Sequence, residues 1–414
     1  MEAAVQTFID ALRDGTLYQN PYPIWDGLRE VAPLVYLPVG EGMWLTTRWS
    51  STSELARDPR LSSARGERVL KLLPPENRHH LQPVTDFMSR TILWMDPPRH
   101  TRIRKLMGRA FSPERIESMR PRMEALFDQM LDEWIASGEG DIMASLVHPF
   151  PALVIADMLG FPQEDWRQFM QWADALIRIL VVVGMDVDTA RHNASMVEEM
   201  LAYIRAAVAE RCRNRTNDVL SLLLEMEDGD VLDREEVVNQ AALLLFAGHE
   251  TTRNLIGGSL HLLLSVDGLE GEIPSDPLSL RLAVDELLRL TSPIQVIGRL
   301  VTEDFEYQGA HLRKGEYVLL GWAAANRDPL QFPEPNRILL QRRYNPHLAF
   351  GAGPHACLGL HLARIEAQIV FDRIWRKLPD LRLVPGGTEW NPNMFVHGPR
   401  KLEVAANVAV AVTC

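Results

Sequence analysis

Three cysteines in 414 residues are too few for a disulfide framework. Cys414 ends the sequence, and Cys212 sits in Arg211-Cys212-Arg213, a charged stretch of helical pattern. Cys357 is therefore the thiol in an unusual setting, and a reducing, cytoplasmic location is expected. Long apolar runs are also missing: nothing approaches the roughly 20 residues that span a bilayer. The richest stretch, 176–184, is broken by Arg178, so no membrane association is expected. The N-terminal MEAAVQTFIDALRDG carries acids and no apolar block, so neither a signal peptide nor an anchor is expected. Positive charge is in deficit. A net charge of −12 lacks the basic field that nucleic acids require. There is no fixed-period repeat, low-complexity linker, Cys-x-x-Cys, or flavin or nicotinamide fingerprint.

What is present is the composition of a globular protein with a large core, 46% hydrophobic and 24% charged. Amphipathic spacing predicts helices over 114–136, 164–180, 190–213, 234–266, 279–290 and 358–378. Short period-two stretches cluster at 34–47, 299–320 and 381–412. Pro/Gly-rich connections fall at 73–98, 268–278 and 325–357. The expected architecture is mostly α, one domain over 1–414 with small peripheral sheets. The irregular stretch 325–357 is long enough to be functional rather than a mere connector.

That stretch ends in Phe350-Gly-Ala-Gly-Pro-His-Ala-Cys357-Leu-Gly359, just before a helix. Orphan N–H groups and the helix dipole favour an anion there, which lowers a thiol pKa. Gly351 and Gly353 allow a tight turn and a close approach. A thiolate with one open face suits a single axial bond to haem iron. Zinc on His355 and Cys357, a cysteine nucleophile and a plain buried cysteine remain open; the haem reading uses the most residues.

Residues 241–252, Ala-Ala-Leu-Leu-Leu-Phe-Ala-Gly-His-Glu-Thr-Thr, lie inside an apolar helical pattern. Gly248 costs about 1 kcal/mol against alanine in a helix interior, so a reason is expected. A glycine followed by Glu250 and Thr251 can widen the helix into a groove, freeing the Thr251 hydroxyl from its own backbone. A carboxylate reaching solvent behind it would complete an acid–base relay. The bland alternative is a solvated acid and a tolerated threonine.

In these two segments the chain resembles the cytochrome P-450 superfamily. Every fixed position of its Phe-Gly-x-Gly-x-His-x-Cys-x-Gly signature is filled, and residues 247–251 match its Ala/Gly-Gly-x-Asp/Glu-Thr motif. His249 takes the variable position and reads as a polar helix residue. The resemblance implies iron protoporphyrin IX (haem b), with Cys357 as proximal ligand, Phe350 beside the sulfur and His355 on a propionate. It implies Gly351 and Gly359 as loop positions, and Gly248, Glu250 and Thr251 as the oxygen-activating set. His100 and Arg104, four apart after Asp96-Pro-Pro, match its propionate pair, and Arg299 a third propionate ligand. Glu286 and Arg289 match its Glu-x-x-Arg helix, with Arg342 as the third, structural partner. Ile338 and Leu339 stand where the family has Phe-Asp.

The activity so implied is O2-dependent oxygen insertion into a C–H or C=C bond, by a monomer. Electrons would come from a ferredoxin and its flavin reductase, docked on Arg99, Arg102, Arg104, Lys105 and Arg109. A peroxide-driven enzyme would lack the Glu250–Thr251 pair, a haem sensor would need no relay, and a cysteine hydrolase would be colourless. The pocket is expected from segments 61–95, 168–186, 240–251, 292–299 and 392–397, with Trp94, Leu244, Ile294, Ile297 and Phe395 foremost. Phe169, Leu176, Ile179, Leu180 and Met394 are further candidates. Their apolar balance points to a hydrophobic substrate such as a polyketide or macrolide, terpenoid or peptide-derived metabolite.

Overall fold

The computed structural model describes residues 2–137, 139–181, 185–225, 232–266, 269 and 273–406. Cys414, the end of the 381–412 stretch, positions 182–184 of a pocket segment and part of the 268–278 connection lie outside them.

The N-terminal part runs through α1 (Glu2–Asp14), α2 (Thr16–Gln19), α3 (Tyr22–Val31) and α4 (Trp49–Leu55). Next come α5 (Gln82–Ser89), α6 (Arg99–Ala110), α7 (Pro113–Ser137), α8 (Pro149–Leu159) and α9 (Trp166–Val181). The central helices are α10 (Val187–Arg213), α11 (Val219–Leu224), α12 (Arg234–Leu264) and α13 (Pro277–Thr291). After them come α14 (Trp322–Asn326) and α15 (Leu360–Lys377). All six predicted helices are present, with ends shifted by a few residues. The local chemistry explains several starts. Asp186, Asp218 and Asp276 each accept the backbone N–H three residues on, and Pro277 takes the first position of α13. Asp233 and Glu236 form a reciprocal capping box at the head of α12.

α12 is the axis of the molecule. Its 31 residues span about 46 Å at 1.5 Å per residue. It packs on α8, α9, α10, α13 and α15, so most of its circumference is buried. Small residues permit this: a Cβ on Gly257 would lie 2.6 Å from the Met143 sulfur.

The strands are β1 (Leu34–Leu37), β2 (Met43–Thr46), β3 (Leu61–Ser62), β4 (Glu139–Asp141) and β5 (Val296–Val301). They continue with β6 (Phe305–Tyr307), β7 (Ala310–Leu312), β8 (Tyr317–Gly321), β9 (Arg382–Trp390) and β10 (Pro399–Ala405). They form peripheral sheets of order β1-β2-β8-β5-β3, β4-β10-β9 and β6-β7. β2 and β8 are parallel, whereas β5 and β8 are antiparallel, with Arg299 opposite Val318. The mostly helical expectation holds. Among the described residues, no helix is long and apolar enough to cross a membrane.

Candidate functional site

The cysteine loop is a tight, backbone-closed turn. Cys357 N–H donates to Phe350 O at 2.7 Å, Ala356 N–H to Gly353 O at 3.1 Å, and Gly351 N–H to Leu348 O at 2.9 Å. Gly351 and Gly353 have φ of 70° and 72°, the left-handed region. A Cβ on Gly353 would also lie 2.8 Å from Ala56 O, so α4 packs against the loop where only glycine fits. The loop hangs from the fold through Leu348 N–H, which donates to Asn326 Oδ1 at 2.6 Å. The expected lowering of the thiol pKa is not found. Burial pushes the Cys357 thiol up, against the Gly359 N–H and the charges of Arg104 and Arg364. α15 starts three residues later, at Leu360. A cation on the sulfur would offset the desolvation.

Around this loop stand more positive groups than the local acids can balance. His100 and His355 bring their ring centroids to 4.1 Å. His100 is 1% exposed, and neither ring nitrogen has a hydrogen-bond partner. Arg299 is buried on β5 and its pKa is pushed down to about 9, first by desolvation and then by Arg65. His355 is pushed down to about 3 by burial, Arg299, His100, Arg65 and Arg104. Arg104 is lowered by desolvation and raised by Cys357. The local carboxylate, Asp96, is already engaged by Ser63 N–H at 2.8 Å and by the Ser62 hydroxyl. Cations depressing one another, with orphaned imidazole nitrogens, make a cradle for a group carrying carboxylates. The haem propionates fit it. Arg65, whose pKa is lowered by burial, is a member that the sequence reading missed; a lone arginine before a glycine carries no pattern.

On the other side, the only partly accessible side of α12 between 241 and 260 is Leu244, Phe246, Ala247, Gly248 and Thr251. Leu244, Ala247, Gly248 and Thr251, spaced three and four residues apart, make one stripe, while Phe246 points away from it toward Trp94. Three expectations need correcting here. The helix is not widened: Thr251 Oγ1 donates to Ala247 O at 3.0 Å, leaving its lone pairs, not its proton, outward. Gly248 is accounted for by close packing, since a Cβ there would lie 2.5 Å from Ile155 Cδ1 of α8 and the isoleucine side chain would have to shift. Glu250 does not reach solvent. It is 4% exposed, paired with Arg253 Nη2 at 2.6 Å, and accepts from Asn254 Nδ2 at 3.1 Å. His249 is buried and pushed down to about 4, chiefly by desolvation, in keeping with a neutral helix residue.

The expected charge network is present. Glu286 and Arg289 are both 0% exposed. Arg289 Nε and Nη2 donate to Glu286 at 2.9 and 2.8 Å, and Arg342 Nε donates at 3.0 Å. Arg289 Nη1 also donates to Asn326 O at 2.9 Å, tying the network to the residue that holds Leu348. The Ile338-Leu339 departure does no harm, because Leu339 contributes its backbone N–H to Glu286 at 3.1 Å.

Of the pocket candidates, Leu244, Ile294, Ile297 and Phe395 are half-buried. Gln295 N–H donates to Phe395 O at 2.8 Å, and Ile294 bridges Val396, joining segments 292–299 and 392–397 into one wall. Trp94 is 4% exposed and stacks on Phe246 at 6.5 Å. Leu180 and Met394 are half-buried, but Phe169, Leu176 and Ile179 are core, at 1% exposure or less. α9 turns their apolar face into the bundle. The basic patch is also divided. Arg99 and Arg102 pair with Glu236, Arg104 is half-buried with its charge felt at Cys357, and Lys105 and Arg109 are exposed.

The family model described as Cytochrome P450 matches residues 67–266 and 279–403. The "Vitamin D(3) 25-hydroxylase" of Pseudonocardia autotrophica is 36% identical over 400 residues, covering 95% of each chain. The "Polyketide biosynthesis cytochrome P450 PksS" of Bacillus subtilis (strain 168) is 32% identical, over 94% of this chain and 96% of that one. Among solved structures, P450BioI in complex with hexadec-9Z-enoic acid ligated acyl carrier protein superposes with a TM-score of 0.86. It is 31% identical, covering 94% of this chain and 99% of that one.

Proposed function

The chain belongs to the cytochrome P450 family, and on that footing we propose that it oxidises a hydrophobic natural product at haem b. The oxidant is O2 and the electrons come from a ferredoxin and its reductase. The observation that carries this is the pair of unpartnered ring nitrogens on buried His100, inside a cluster of cations beside the Cys357 loop. When bound, a haem supplies electron transfer and O–O scission, which a thiolate ligand favours by donating electron density.

The residues of the chain divide the remaining work. Cys357 offers the axial ligand, held by the Phe350–Gly359 turn. His100, Arg104, Arg299 and His355, joined by Arg65, hold the propionates. Thr251 presents hydroxyl lone pairs on the accessible stripe of α12, where a water can donate to them. Glu250 sits one position back as the relay carboxylate, held in its buried pair with Arg253. Leu244, Ile294, Ile297 and Phe395 present an apolar wall, with Trp94 behind, which excludes water and suits an uncharged carbon skeleton. Relatives named for polyketide biosynthesis and for vitamin D(3) hydroxylation are consistent with a polycyclic or polyketide substrate. We read residues 1–414 as one catalytic domain acting as a cytoplasmic monomer. Lys105 and Arg109, together with Arg99, are the exposed part of the carrier-docking surface.

Incubation of the reconstituted protein with ferredoxin, reductase and a natural-product panel under 18O2 tests the reading. One labelled oxygen per product is expected. Products labelled only from water, or no oxidation of any ligand that shifts the haem spin state, would overturn it.

A further inference from the structure

Asp285, Arg364 and His347, which the proposed chemistry leaves unused, form a connected unit over the Phe350 ring. Arg364 Nε donates to Asp285 Oδ1 at 2.7 Å. The Arg364 guanidinium carbon lies 4.7 Å above the centroid of the Phe350 ring. Phe350 in turn accepts the Cys357 N–H at 2.7 Å, so the cation is fixed one aromatic ring from the loop that carries the sulfur. His347 completes the unit. Its Nδ1 accepts from Ala349 N–H at 3.3 Å, which leaves Nε2 as the donor toward Asp285 Oδ1 at 3.4 Å. The side chains of Asp285 and Arg364 are 16% and 20% exposed, and His347 is 4% exposed. Screening by water is therefore partial, and the charge of Arg364 is felt at the sulfur.

We infer that Asp285 and His347 hold Arg364 over Phe350 as a fixed positive charge that tunes the Cys357 sulfur. This rests on the haem reading. A cation near a thiolate–iron unit favours the state with one more electron, so Arg364 raises the reduction potential. Asp285 is the positioning residue. Its carboxylate removes part of the net charge while fixing where the remainder acts. The planar guanidinium suits the dual task of stacking and pairing.

The test is a mediator-dye redox titration of the haem-loaded protein, followed by absorbance with no ferredoxin present. Arg364→Gln is expected to keep the haem and its reduced CO-bound band while the potential falls. The ratio of reduced to oxidised protein at a fixed mediator ratio should drop about threefold, roughly 30 mV for one electron. Arg364→Lys should recover most of that shift by restoring the charge. In an Asp285→Asn background the effect of Arg364→Gln should shrink, because the cation is no longer held. An unchanged potential in Arg364→Gln, with weaker ferredoxin use, would make Arg364 a docking residue and overturn the inference. A potential lost in both Arg364→Gln and Arg364→Lys would assign it to packing, and also overturn it. If the unsubstituted protein shows no thiolate-type spectrum, the haem reading itself fails, which is a separate outcome.

Discussion

Glu250 and Arg253, three residues apart on α12, meet at 2.6 Å with side chains only 5% and 8% exposed. Their field reaches across the helix interfaces. Asp174 of α9 is raised by burial, with Arg253 acting against that and Glu250 with it, and His148 is pushed down to about 3 by burial, Arg253 and His249. Removing one partner of a buried pair typically costs about 3–5 kcal/mol, because the other charge is left stranded. Arg253→Met should therefore lose stability of that order in urea unfolding, and Arg253→Lys much less. A change below about 1 kcal/mol in Arg253→Met would mean Glu250 is not charged there.

Thr251 is expected to matter for proton delivery and not for haem binding. Thr251→Ala should keep the reduced CO-bound band while electrons are diverted into hydrogen peroxide. Loss of one member of an acid–base relay costs about 10²–10⁴-fold in the assisted step. Thr251→Ser, which keeps the hydroxyl, should recover much of the coupling. Product formed per electron, with peroxide measured in parallel, decides it; unchanged coupling in Thr251→Ala would remove the relay assignment.

The Glu286 network should be felt at the haem although it does not touch it. Glu286→Gln leaves Arg289 and Arg342 without a counter-charge at a site 0% exposed, again a cost of about 3–5 kcal/mol. Because Arg289 and Leu348 share Asn326, the cysteine loop should loosen as well. Reduced haem retention after gel filtration, together with a lower unfolding midpoint, is the expected pair of results. Full retention with only the midpoint lowered would uncouple the network from the loop.

Acid should destabilise the fold through buried neutral histidines. His148, His249 and His397 are held down to about 3, 4 and 4 by burial. The unfolded chain binds these protons near pH 6.5 and the folded chain does not. Their contribution is therefore fully present above pH 6.5 and is lost as pH falls toward about 4, at about 1.4 kcal/mol per pH unit for each proton. His397 stacks on Trp390 at 4.5 Å, so His397→Phe keeps a ring there. Denaturant titrations between pH 5 and 6.5 should show a shallower slope in that variant, by about one proton. An equal slope would remove His397 from the set.

Much of this was legible in the residues. Long amphipathic stretches such as Val187–Arg213 show their period, and the Phe350–Gly359 loop shows its chemistry because Gly351 and Gly353 answer a backbone demand. α8 was not legible: ten of its eleven residues are buried, so it has no polar face to betray a period. Ser292, with φ of 41°, ends α13 in a left-handed turn held by Asn326 and Gln295. Local preference would not place a serine there; tertiary contacts do. The reach of Glu250 failed for a different reason. Its spacing to Arg253 was visible, but which way that helix face points depends on α8 and α9, which no local pattern encodes.

Haem ligation by the sulfur of Cys357 is read most directly by the absorption spectrum of the reduced, CO-treated protein. A main band shifted far to the red is predicted, lost in Cys357→Ala while the polypeptide stays folded by circular dichroism. A colourless protein, or an identical band in Cys357→Ala, would contradict it.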